Sequence, residues 1–174
     1  MSLKERIWQV GESAWRAMPQ ASRISFLRAT NATWLVGVVG LITNANGHVL
    51  LLEHRYRVPW RWGLPGGHVA HGERLELALE REVFEETGIR VRAAGTILDF
   101  ELAEAIGAIT VTLPATTDAD SVTPKSWEIA GGGFFPPDKL PERMDRYQGD
   151  IIERSLRNRV GLEVGSRNRA RRSI

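Results

Sequence analysis

The sequence predicts an α/β domain, a mixed β-sheet with helices on both faces, preceded by a short helical leader. Three observations carry this. Apolar strand-like runs at 33–43 and 48–54 are joined through Asn46-Gly47, the strongest short-range hairpin signal. One clear helical period fills 74–87 and stops at Gly88, a residue suited to a left-handed C-terminal cap. Strand-like runs then recur at 95–102, 108–115 and 127–135 without regular strand–helix alternation, which favours a mixed sheet over a parallel one.

Taken in order, Ile7, Val10, Ala14 and Met18 fall near helical spacing, with Trp8 and Trp15 on the same stretch, so residues 4–18 read as an amphipathic helix. A second short helix is expected around 21–29. Together they form a leader over 1–30, either packed on the domain or serving as a homodimer element. The main domain is expected over 31–158. "PPDKLPERM" suggests a short turn of helix, and 142–158 a final helix. An arginine-rich tail follows over 159–174.

With 174 residues, the chain fits one domain large enough to bury its own core. The absence of Cys excludes disulfides, thiol chemistry and Cys-based metal sites. No apolar run reaches the length of a membrane span, and charges interrupt the N-terminus where a signal peptide needs its apolar core. A cytoplasmic protein with no membrane partner is therefore expected. The net charge of +2 is uneven: from Arg154 onward seven Arg face one acid, Glu163. Such a tail can meet RNA phosphates, although no aromatic residues interleave it as stacking platforms would.

The stretch "EREVFEETG" at 80–88 concentrates carboxylates at a cost, because like charges three or four apart on a helix repel. Glu82, Glu85 and Glu86 share one face. Leu75, Leu79 and Val83 run along one flank and Leu77 and Phe84 mark another, so the helix is expected to be partly buried. Carboxylates converging at such a face call for a cation, and an all-oxygen donor set favours Mg²⁺ or Mn²⁺ over Zn²⁺. The preceding "WGLPGGHVAHGE" is a Gly-rich loop where backbone can approach a ligand closely. Arg81 beside the three carboxylates can offset their repulsion and fix their geometry.

From Gly67 the chain runs five residues to Glu73, then seven to Arg81-Glu82-Val83-Phe84-Glu85-Glu86-Thr87-Gly88-Ile89. This resembles the Nudix hydrolase box, Gx5Ex7REUxEExGU, with every fixed position filled. The wider resemblance, from the hairpin at 33–54 to "FFPPDKLP", spans roughly two thirds of the chain. It implies an α/β/α sandwich and metal-dependent hydrolysis of a diphosphate linkage in a nucleoside diphosphate derivative. It also implies that Glu82, Glu85, Glu86 and the Gly66 carbonyl bind the metal, while Arg81 and Glu73 orient the cluster. Glu82 is one candidate base, and Glu101, Glu104, Asp118, Asp120 and Glu128 are others.

For substrate contacts the sequence offers Arg55, Arg57, Trp60 and Arg61 in "YRVPWRWG", together with Glu128. Trp62 is expected to pack as core, and His48, His54, His68 and His71 show no ligand spacing. Gly131 and Gly133 stand where many family members carry an acid and a base. The NADH-pyrophosphatase array SQPWPFPxS is missing. Ala105 occupies the position where ADP-ribose and dinucleoside-polyphosphate hydrolases usually carry Pro or Tyr. The substrate expected is a small nucleotide, either a nucleoside triphosphate or a nucleotide sugar. An RNA 5′-end pyrophosphohydrolase using the basic tail and a non-catalytic nucleotide sensor remain as alternatives.

Overall fold

The computed structural model describes residues 12, 15–30 and 34–155. The chain divides into two units, 1–34 and 35–174. In the first, α1 (Gln20–Thr30) covers the second helix expected of the leader, and Trp15 meets Phe26 edge-on with ring centroids 6.0 Å apart. Most of the helix expected over 4–18 and all of the tail over 159–174 lie outside the described residues.

In the second unit, β1 (Leu35–Thr43) and β2 (Val49–His54) leave a hairpin whose turn contains Gly47 at φ 76°. Asn44 Oδ1 accepts from the amides of Asn46 and His48 at 3.1 and 3.0 Å, a side-chain clasp that closes the turn. The hairpin is paired only at its base, Thr43 with Val49. Beyond that point the two strands part. The rest of β1 pairs antiparallel with β4 (Gly66–His68) and parallel with β7 (Ala108–Thr116). Meanwhile β2 pairs antiparallel with β3 (Trp62–Gly63) and β8 (Ile129–Phe135). Short β5 (Arg92–Ala93) and β6 (Asp99–Ala103) complete the mixed sheet along β7.

Side-chain alternation sorts the core into two layers. Val38, Ile42, Leu50 and Leu52 point to one face and bury α2 (Leu75–Thr87) through Ala78, Leu79 and Val83. Val39, Leu41, Val49 and Leu51 point to the other and pack with Leu64, Met144 and Ile152. Ile152 belongs to a final helix, α3, running through 146–155. The result is an α/β/α sandwich. Gly40 lets α2 press close to the sheet, since a Cβ there would stand 2.9 Å from Leu79 Cδ1.

Three boundaries differ from expectation. The strand expected at 95–102 begins only at Asp99, because 94–98 is spent returning the chain from β5. Residues 137–139 form a turn with no helix, as Pro136, Pro137 and Pro141 restrict both ends. The last helix starts at 146, after Trp62 and Asp145 exchange a backbone hydrogen bond of 2.9 Å.

Candidate active site

Helix α2 carries the glutamates and is held in place at both ends. Gly88 takes the left-handed conformation at φ 73°, and its amide donates to the Phe84 carbonyl at 2.7 Å. At the other end Arg81 and Glu73 form a two-pronged pair, Nε to Oε1 and Nη2 to Oε2, both 2.9 Å. Glu73 also accepts from the Ala70 amide at 2.9 Å. The Arg81 hydrogen bonds hold the Glu73 carboxyl down to about 2, so it is fully ionised. Arg81 continues to the His68 carbonyl at 3.0 Å and to Glu82 Oε1 at 2.9 Å, and stands 3.6 Å from Glu85 Oε2. One guanidinium thus ties the Gly-rich segment to two of the three box glutamates, the geometry for which its planar fork is suited.

The glycines are needed where they stand. Gly66 has φ 148°, and a Cβ there would collide with the Val38 carbonyl. A Cβ on Gly67 would run into the Glu82 carboxylate. Glu86 is partly buried, and the Gly66 amide donates to its Oε2 at 3.4 Å. Burial pushes its carboxyl up to about 7, with the nearby charges of Glu82 and Glu128 adding to the rise and Gly66 and Arg57 opposing it.

Glu82, Glu85 and Glu86 line a cavity of about 620 Å³, together with Gly66, Gly67 and His68. His54, Tyr56 and Arg57 from β2 and its extension, with Ser126 and Glu128, line the rest. Glu128 is brought there by the segment 117–128. That segment is fastened by Asp120 Oδ1 to Asn44 at 3.2 Å, by the Lys125 amide to the Glu86 carbonyl at 2.7 Å, and by the Arg55 amide to the Glu128 carbonyl at 2.8 Å.

Among the described residues no group of three His, Asp or Glu is gathered closely enough to enclose a metal ion by itself. The carboxylates form an open wall, the arrangement in which substrate phosphates and water complete a magnesium shell. Their donor set fits a hard divalent cation. The raised Glu86 carboxyl is the mark of an anion that the protein alone does not neutralise.

Of the residues proposed for substrate contact, Arg57 and Glu128 line the cavity. The other three are engaged elsewhere. Arg55 Nε donates to the Trp127 carbonyl at 2.8 Å. Arg61 pairs with Glu53 at 3.3 Å, and Trp60 lies under the Arg146 guanidinium at 5.1 Å. Trp62 packs edge-on against Phe135 at 5.2 Å, as core. Among the candidate bases, Glu101, Glu104, Asp118 and Asp120 do not line this cavity. His54, Tyr56, His68 and Ser126 also line the cavity, and none of them is among the substrate contacts expected from the sequence. For His54 a signal existed: it continues the face of Leu50 and Leu52 along β2, toward the helix that bears the glutamates.

A fold and site of this kind define a class: a Gly-rich strand followed by a glutamate helix braced by Arg81 and Glu73. Residues 33–155 match the NUDIX domain family, and the chain belongs to it. Among solved structures, the MutT NUDIX hydrolase of Burkholderia pseudomallei is 32% identical, with 70% of this chain and 98% of that one covered and a TM-score of 0.54. Among curated proteins, the RNA pyrophosphohydrolase of Caulobacter vibrioides is 46% identical over 55 residues, 31% of this chain and 31% of its own length. "Nucleoside diphosphate-linked moiety X motif 6" of Xenopus laevis is 42% identical over 59 residues, 33% and 27% respectively. These matches thus span under a third of the curated relatives' own length.

Proposed function

We propose that this domain is a pyrophosphohydrolase that uses Mg²⁺ or Mn²⁺ to cleave a phosphoanhydride in a nucleoside triphosphate or nucleotide sugar. The observation that carries the reading is that Glu82, Glu85 and Glu86 line one cavity together with Glu128 and Arg57. The three glutamates, with the Gly66 carbonyl, are the groups that would hold the metal. When bound, a divalent ion offsets charge on the phosphate oxygens and favours the leaving group.

The chain supplies the rest. Arg81, fixed by Glu73, keeps Glu82 and Glu85 from relaxing apart. Glu128 is the group we assign as base. Glu82 is less suited to that role, because its Oε1 is already engaged by Arg81 at 2.9 Å. Glu128 takes a proton from water, the water oxygen bonds to phosphorus, and the bridging P–O bond breaks as its oxygen leaves with the second phosphate.

A second reading, action on the 5′ end of RNA, is favoured by the similarity to an RNA pyrophosphohydrolase and by the arginines of the tail over 159–174. One panel tests both. Nucleoside triphosphates, nucleotide sugars, ADP-ribose, dinucleotides and 5′-triphosphorylated RNA are incubated with and without Mg²⁺, using wild type and Glu86→Gln. Metal-dependent turnover lost in the variant is expected, and the best substrate decides between the readings. Tight nucleotide binding with no turnover of anything would overturn both in favour of a sensor. For RNA, affinity should fall steeply with salt, and deletion of 159–174 should abolish the activity while sparing small-nucleotide turnover.

A further inference from the structure

Two aromatic rings stand beside the cavity with most of their surface in water. Tyr56 is 66% and Trp127 68% exposed, and their centroids lie 5.4 Å apart at an interplanar angle of 73°. Tyr56 lines the cavity, and Trp127 sits in the chain between Ser126 and Glu128, which line it too. An edge-on contact uses one face of one ring and an edge of the other, so each ring keeps at least one face open.

Single exposed apolar side chains are ordinary, but these two come from distant parts of the sequence and are tied together by backbone. The pairing of β2 with β8 brings His54 opposite Ile129. The Arg55 amide donates to the Glu128 carbonyl at 2.8 Å, and Arg55 Nε donates to the Trp127 carbonyl at 2.8 Å. The residue before Tyr56 therefore fixes both Trp127 and Glu128, and the rings need no ligand to gather them. The other exposed aromatic rings described in this unit are placed differently. Trp60 lies under Arg146, Phe84 faces the cations of Arg90 and Lys125 at 5.2 and 5.5 Å, and Phe100 on β6 does not line the cavity.

We propose that Tyr56 and Trp127 form the platform on which the nucleobase of the substrate stacks while its diphosphate lies against Glu82, Glu85 and Glu86. A cavity of about 620 Å³ has room for a ligand of that size. The platform rests on the hydrolase reading and deepens it, by assigning a nucleoside to one end of the substrate. Every base has a π face, so the rings select for a base without choosing among bases.

The test measures Kd by calorimetry in Mg²⁺ for three ligands: α,β-methylene-ADP, a short RNA bearing a methylene-bridged 5′-diphosphate, and methylenediphosphonate, which carries no base. The proteins are wild type, Tyr56→Ala, Tyr56→Phe and Trp127→Ala. Each alanine variant should weaken the ADP analogue by about tenfold, the loss that goes with one base–aromatic stack, and leave methylenediphosphonate unchanged. Tyr56→Phe keeps the ring and should bind like wild type. A loss confined to the RNA ligand supports the platform with the first base of an RNA as its occupant. Unchanged affinity for both base-bearing ligands in the alanine variants overturns the proposal. So does an equal loss for methylenediphosphonate, or a loss in Tyr56→Phe as large as in Tyr56→Ala. If Trp127→Ala does not fold, the two Tyr56 variants decide. Wild-type turnover of nucleoside triphosphate with unaltered variant affinities removes the platform alone. A wild type that neither turns over nor binds any of these ligands removes the hydrolase reading and the platform with it.

Discussion

Consider Glu86→Gln in protein stripped of divalent metal. Burial raises the Glu86 carboxyl from 4.5 to about 7, so between those values the folded protein holds a proton that the unfolded chain has released. Its contribution is therefore fully present below pH 4.5 and is lost as pH rises through 7. At 1.36 kcal/mol per unit, ionisation of Glu86 costs the metal-free fold about 3 kcal/mol at about pH 8. Glutamine has no such charge and should recover most of that, giving a variant that is more stable and inactive.

The wild-type curve alone would mislead, because His54 works in the opposite sense. Held down at about 4 by burial and the charge of Arg57, it contributes stability that disappears as pH falls from 6.5 toward that value. The two slopes oppose each other in weak acid, so the informative quantity is the difference between Glu86→Gln and wild type. Urea unfolding in a chelator at pH values from about 5 to about 8 should show that difference widening by about 2–3 kcal/mol. Saturating Mg²⁺ should then narrow it by binding only the wild-type wall. A difference that stays flat with pH would refute the claim that Glu86 is an uncompensated buried charge.

Three further outcomes are expected. Arg81→Lys keeps the charge but not the two-pronged pair with Glu73, so kcat/KM should fall by about 10–100-fold, and calorimetry should find weaker Mg²⁺ binding; equal metal affinity would argue against a bracing role. Glu128→Gln should lower kcat by about 10²–10⁴-fold while leaving the Kd of a methylene-bridged analogue near its wild-type value, whereas Glu101→Gln, on exposed β6, should change neither. Gly40→Ala forces a methyl against Leu79 and should cost about 1–3 kcal/mol in urea unfolding; a neutral result would mean that α2 can back away from the sheet.

The long elements were legible because their signals are local. β1, β2, β7 and α2 carry their own period and stop signals, and the structure places each within two residues of expectation. β3 and β4 were not, since two- and three-residue strands have no period to read. Trp62-Gly63 and Gly66–His68 are strands only because β2 and β1 lie alongside. The same divide runs through the site. The glutamates and Arg81 lie within one helix, so their shared face followed from spacing alone. That Glu128 rather than Asp120 reaches the cavity depends on where the segment 117–128 is fastened and on the pairing of β2 with β8. The meeting of Tyr56 with Trp127 depends on the hydrogen bonds of Arg55 to the second segment, which no periodicity reports.

The parting of β1 from β2 after Thr43 has a consequence for how this chain can change. Because β1 takes up β4 instead, Gly66 and Gly67 are held by ladder register, Val39 to Gly66 and Val38 to Gly67, rather than by a free loop. Adding or removing one residue between Gly66 and Glu73 would break either that register or the clasp on Arg81. The segment 117–128 is fastened at points along its length but belongs to no ladder until Ile129, so its stretch ahead of Lys125 can be rewritten while the glutamates and Glu128 stay put. The molecule is thus part ratchet and part hinge-pin: new side chains can be tried in the stretch ahead of Lys125 while the register that holds Gly66 and Gly67 is kept.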